Sequence, residues 1–148
     1  MRDSLFLAID QFEPGQAAVD FAIGLAAKSG SDVRVFHVRE LSRFLRVPPL
    51  ETVGGAELLV ADAVHRIRAA GVSAEGGVRS AREENVARCI VDGATEHHSE
   101  AIVLGSLRLR GLQRLSGHGV RERVLQLSSL PVIVTPTALQ VRKRILAS

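Results

Sequence analysis

The chain has 148 residues, 46% of them hydrophobic, which makes one folded domain the expectation and excludes a disordered chain. Aromatic residues make up only 3%, with no Trp and no Tyr, so the core must be built from Leu, Val, Ile and Ala, and stacking platforms for single-stranded nucleic acid are nearly absent. The net charge of +3 is too small an excess to specify an anionic partner, and the single cysteine, Cys89, excludes an internal disulfide and fits a reducing cytoplasm.

Residues 5–9 form an apolar run that ends at Asp10. It is too short for a signal-peptide core or a membrane span and reads as a buried strand of a cytoplasmic protein. Residues 16–28 carry Ala18, Phe21, Ala22 and Leu25 at helical spacing, stopped by the Ser29-Gly30-Ser31 turn. Residues 33–38 are β-branched and predict a second strand. Residues 39–55, with Pro48-Pro49 and Gly54-Gly55, predict a long surface loop. A second helix is expected over 57–70 with Gly71 as its stop, then a weak, glycine-interrupted strand over 72–78. Ser80-Ala81-Arg82-Glu83 has the form of a capping box before a third helix, whose apolar face holds Val86, Cys89, Ile90 and Gly93. A short strand at 101–104, a helix at 120–127 and a last strand from Pro131 to Thr135 complete the order β-α-β-α-β-α-β-α-β. Strands alternating with helices imply right-handed crossovers and a parallel, doubly wound sheet. One domain over 1–137 is expected, followed by a short basic tail over 138–148.

In such a sheet, ligands sit beyond the carboxyl ends of the strands, where helix N-termini also attract anions. Those ends are Asp10, Val38 and Gly105-Ser106. The stretch 105–119 joins a strand to a helix at that edge, and its glycines let backbone approach a phosphate closely. Arg108, Arg110 and Arg114 read either as an anion cradle or as a solvated face. Asp10 reads either as a ligand contact or as a cap on the turn that follows it. His97-His98 beside Glu96 and Glu100 lack the spacing of a metal site and read as a polar helix end. Cys89, on an apolar helix face, reads as an inert thiol. No nucleophile–base pair and no complete phosphate loop emerges, so an enzyme is not expected; slow ATP hydrolysis stays open.

The pattern Asp10, His37-Val38, Gly105-Ser106, Gly111-Leu112-Gln113-Arg114-Leu115, Val120-Arg121-Glu122-Arg123-Val124-Leu125 and Pro131-Val132-Ile133-Val134 resembles the universal stress protein family over residues 4–136. The resemblance implies an α/β fold with a five-stranded parallel sheet in the order 3-2-1-4-5, Rossmann-like and of the adenine nucleotide alpha hydrolase kind. It also implies a homodimer paired through the Pro131 to Thr135 edge strand. Family members that bind ATP share Gly, two residues, Gly, nine residues, Gly and then Ser or Thr. This chain keeps the first glycine, Gly105, but has Arg108, His118 and Gly119 at the other three positions. Arg108 and His118 put side chains where backbone would approach phosphates, and Gly119 lacks the hydroxyl. Gly117 and Gly119 flank the expected glycine, so a shifted loop is the counter-reading. The expectation is a non-catalytic, dimeric regulatory protein with an absent or altered nucleotide site at Asp10, Val38, Gly105, Ser106, Arg108, Gly117, His118 and Gly119. The alternative is a module that holds ATP or another adenine nucleotide with shifted glycines and arginines. No membrane or nucleic-acid partner is expected.

Overall fold

The structure, a computed structural model, describes residues 3–10, 17–41, 51–105 and 119–135. The strands are β1 (Ser4–Ala8), β2 (Asp32–Leu41), β3 (Ala74–Arg82), β4 (Ala101–Leu104) and β5 (Val132–Val134). The helices are α1 (Ala17–Ser29), α2 (Val53–Ala69), α3 (Val86–Glu96) and α4 (Val120–Leu127), with a 3-10 turn over Glu83–Asn85 ahead of α3. All strand pairs are parallel and the sheet order is β3-β2-β1-β4-β5, as the family resemblance implied.

Alternation along β1 separates two cores. Leu5, Leu7 and Ile9 face one side with Val33 and Val35, covered by Ala18, Val19, Ala22 and Ala26 of α1 and by Val60, Ala63, Val64 and Ile67 of α2. Phe6 and Ala8 face the other with Phe36 and Val38, covered by Val86, Ala87, Ile90 and Ala94 of α3 and Val124 of α4. Small residues dominate the inner face of α1, which lets the helix lie close on the sheet. Gly30 (φ +72°) and Gly71 (φ +86°) adopt the left-handed turn that stops α1 and α2, where the sequence placed the stops.

Three local expectations are corrected. The irregular stretch expected over 39–55 is shorter, because β2 runs on to Leu41 and α2 begins at Val53. Arg39, Glu40 and Leu41 pair with Ser80, Ala81 and Arg82 of β3, and Arg39 Nε donates to Ser80 Oγ at 3.1 Å. That pairing also removes the capping box: Ser80-Ala81-Arg82 is strand, and Arg82 makes no side-chain cap before the turn at Glu83. Instead Thr52 caps α2, its Oγ1 accepting from the Gly55 N–H at 2.9 Å. The glycines of β3 also carry a different meaning from strand interruption. A Cβ on Gly76 would collide with Val60 Cγ1 and come within 2.9 Å of Val64 Cγ2, so Gly76 is where α2 seats on the sheet.

His97 follows α3, and its ring stacks on Phe6 with centroids 6.4 Å apart. Burial, followed by the positive charges of Arg34 and Arg79, holds its pKa below the ordinary 6.5. The folded state therefore binds fewer protons at His97 than the unfolded chain does. The stabilisation is whole above about 6.5 and is lost as the pH falls from there through the lower folded value. Urea midpoints measured between pH 7.5 and 5 are expected to fall more steeply for the natural chain than for His97→Gln; equal slopes would refute this.

Candidate functional site

The carboxyl edge of the sheet brings together Asp10 and Gly105, which follow β1 and β4, whereas Val38, expected as the end of the second strand, lies three residues inside β2 because the strand runs on to Leu41 alongside β3. Beyond the last β1–β2 pair, Ala8↔Phe36, the Ile9 N–H still donates to the Phe36 carbonyl at 2.9 Å. Continuing that register sets Asp10 level with Val38, and continuing Ala8↔Leu104 sets Ile9 level with Gly105. Asp10 is half-buried, while Val38 and Gly105 are buried. Gly119 is the N-cap residue of α4 and, lacking a side chain, caps nothing. The helix must run back toward the amino edge for β5 to start parallel to β4, so its free N–H groups point to this edge. Glu122, in the first turn, already sits among them: a hydrogen bond from its own backbone N–H, then the Arg121 guanidinium, holds its carboxyl below the usual carboxylate range. Ser106, Arg108, Arg110, Arg114, Gly117 and His118 lie outside the described residues, as does the tail over 138–148.

The β2–β3 side of the edge carries both signs of charge, Glu40 and Glu83 beside Arg39 and Arg82. Burial, then the carboxylates of Glu83 and Asp10, pushes the pKa of Glu40 up. Of the two arginines at these strand ends, Arg39 donates to Ser80 and to the Glu51 carbonyl at 3.2 Å, and Arg82 closes β3 opposite Leu41.

One pair here escaped sequence reading. His37 and Glu51 are 4% and 8% exposed, and the imidazole Nε2 lies 2.8 Å from both carboxylate oxygens. The ring's Nδ1 lies 2.8 Å from the Ile9 carbonyl oxygen. His37 stood in the sequence only as half of a His-Val pair, and Glu51 stood in the expected loop. A histidine inside an apolar strand was the one available signal.

Elsewhere the chemistry is sparse. Burial, opposed by Arg79, pushes the Cys89 thiol up, so it stays protonated at neutral pH. Among the described residues, no group of three or more His, Cys, Asp or Glu is placed to hold a metal ion, and no helix is long and apolar enough to cross a membrane. A cleft of about 700 Å³ opens at the opposite, amino edge, lined among others by Asp32, Arg34, Arg68, Glu75 and His97. It is remote from the strand ends, and its charges of both signs select no ligand.

The family model of the universal stress protein family matches residues 1–136. Among solved structures, the universal stress protein from Archaeoglobus fulgidus in complex with dAMP is 25% identical, with 90% of this chain and 98% of that chain covered and a TM-score of 0.67. A universal stress protein family member from Burkholderia pseudomallei is 24% identical, with 92% and 97% covered and a TM-score of 0.72. A family protein from Arabidopsis thaliana with AMP bound shares the fold at 12% identity, with 93% and 94% covered and a TM-score of 0.62. No curated protein sequence matches the chain.

Proposed function

This chain belongs to the universal stress protein family, and from that premise we propose that it is a cytoplasmic, dimeric regulatory protein without catalysis, whose adenine nucleotide site is altered on its phosphate side. The observation that carries the reading is the contrast along the carboxyl edge. Asp10 follows the end of β1, and Val38, level with it when the β1–β2 register is continued, lies three residues inside β2; both are residues that the resemblance puts at a nucleotide site. At the start of α4, Gly119 stands where ATP-binding members have Ser or Thr, and Glu122 already answers the helix N-terminus. Like charge from Glu40 and Glu83 adds to the cost of bringing a triphosphate to this edge.

Such a site draws its affinity from the base and sugar. In calorimetric titrations of the nucleotide-stripped protein, AMP and Mg-ATP are expected to bind with similar affinity, and Asp10→Ala is expected to weaken both about tenfold, the worth of one good hydrogen bond. Mg-ATP binding more than about tenfold tighter than AMP would overturn the altered phosphate side and support the second reading, a true ATP module using arginines of the 105–119 stretch. That second reading shares with the first the adenine nucleotide of the dAMP complex of the similar Archaeoglobus fulgidus protein.

Dimerisation would use β5. Among the described strands it pairs only with β4, its three residues are half-buried, and Leu125 and Leu127 of α4 are 50% and 38% exposed. An unpaired apolar edge of this kind is completed by a second copy across a two-fold axis. Light scattering on the same samples is expected to give twice the chain mass; a monomer at tens of micromolar would refute the dimer.

A further inference from the structure

His97 belongs to two environments at once. Its ring stacks with the buried Phe6 at 6.4 Å, 21° from parallel, and it also lines the amino-edge cleft of about 700 Å³. The backbone on both sides of it is tied down. The His97 N–H donates to the Gly93 carbonyl at 3.1 Å, and the Ser99 N–H donates to the Ala94 carbonyl at 3.0 Å, with His98 between them in left-handed backbone (φ 51°). Such bonds close the C-terminus of a helix. Glu100 is then fixed to β1, its N–H donating to the Ser4 carbonyl at 2.9 Å. A change at His97 is therefore a turn of its side chain, and the cleft beside it gives the ring room for one.

Charged groups reach this ring from every element around it. β2 brings Arg34 and, along the cleft, Asp32; β3 brings Arg79 and Glu75; α2 brings Arg68; and α3 itself brings Glu96. β1 contributes Phe6 and Ser4, which carry no charge. Glu75 and Glu96 are each already bound to a guanidinium, Arg34 at 3.2 Å and Arg79 respectively. Burial first, then Arg34 and Arg79, outweigh Glu96 and Glu75, so a proton on the ring is disfavoured where the ring stands. Phe6 does not compensate, because a ring face holds a cation within about 6 Å and the centroids here are 6.4 Å apart. We propose that His97 is an acid-released latch on Phe6: neutral, its ring lies on Phe6 and forms part of the cleft wall; protonated, it turns off Phe6 into the water of the cleft, on the side of Asp32 and Glu75. The ring takes a proton more readily in water than against Phe6, and that difference in proton affinity is what shifts the population. Release begins near the ordinary 6.5 and grows as the pH falls through the lower value of the stacked ring. It uncovers part of Phe6 while the Phe6–Phe36 contact, 4.9 Å between centroids, stays in the core. The latch stands apart from the nucleotide reading.

Proton NMR of the full chain, titrated from about pH 7.5 to about pH 5, reads the ring and its neighbours together. A cross-relaxation contact between the Phe6 and His97 rings is expected at the upper end and is expected to fade as His97 titrates, with a midpoint below 6.5. The Phe6–Phe36 contact is expected to persist throughout. Arg34→Gln removes a positive neighbour and is expected to raise the His97 midpoint, and the pH at which the Phe6–His97 contact is lost should move up with it. In His97→Gln, which takes no proton, the Phe6 ring signals are expected to stay in place over the same range. A Phe6–His97 contact that survives protonation of the ring overturns the inference, as does a His97 midpoint at or above 6.5. Loss of both Phe6 contacts together means that the domain unfolds rather than releases one ring, and overturns it too. So do Phe6 signals that move equally in His97→Gln, since another group then reads the acid.

Discussion

Phe6→Ala is expected to cost about 3–5 kcal/mol of folding stability, the largest loss from any single truncation in the core. Phe6 is fully buried in the middle of the sheet, on the face covered by α3. It packs against Phe36 with ring centroids 4.9 Å apart and stacks with His97 at 6.4 Å. In a core so poor in aromatics, no neighbour can swell into the space it leaves. Against a total of about 5–15 kcal/mol for a domain of this kind, the variant should unfold at low urea. The same ring explains Gly93. A Cβ there would stand 2.9 Å from Phe6 Cζ and 3.3 Å from Phe36 Cζ, so α3 reaches the sheet only because position 93 is bare. Gly93→Ala alone should therefore cost about 1–3 kcal/mol by overpacking, despite alanine's better helix propensity. In the Phe6→Ala background the added methyl enters the vacated space, and the cost should vanish or reverse. Urea denaturation of the four proteins in this cycle should give a coupling above about 0.5 kcal/mol; strict additivity would show that α3 and the sheet do not meet as described.

The parts of this fold legible in the sequence were those set by local chemistry. The apolar run ending at Asp10, the existence of α1 and the stops at Gly30 and Gly71 need only neighbours within a few residues, although the buried face of α1 uses Val19 and Ala26 and leaves Phe21 exposed. The parts misread were decided by partners far along the chain. Residues 39–41 look like the start of a loop, but they extend β2 because Ser80, Ala81 and Arg82 lie alongside to complete the ladder. Those three residues then cannot cap a helix, whatever their local pattern. Gly54-Gly55 looked like a breaker; at the first turn of α2 a helix tolerates glycine when Thr52 supplies the cap. The candidate site divides in the same way. Asp10 and Gly105 were found because the ends of β1 and β4 are visible in hydropathy, whereas the β2 end was placed at Val38, three residues early, because its last pairs are polar. Glu51 was invisible, since nothing at position 51 announces that strand register will carry His37 beneath it, fourteen residues away in sequence.

Glu51→Ala should also be the most damaging polar substitution, at about 3–5 kcal/mol, because it leaves half of a buried pair behind. Both side chains are more than nine-tenths shielded from water, so neither is stabilised by solvent once its partner is gone. The damage should depend on what replaces the partner more than on the loss of charge. Glu51→Gln keeps a donor for Nε2 and should cost much less than Glu51→Ala. His37→Leu with Glu51→Leu removes the charges together, and replacing a whole buried pair by apolar groups is often close to neutral. Here one loss would persist, because the Ile9 carbonyl gives up its donor, a penalty of about 1–3 kcal/mol. The expected ranking in urea is therefore the natural chain first, Glu51→Gln next, the double leucine variant below it and Glu51→Ala last. A double variant less stable than Glu51→Ala would mean that the pair contributes net stability of its own. Glu51→Ala ranking beside Glu51→Gln would mean that water already reaches the pair. The predicted order instead gives the pair little net contribution to holding the sheet together.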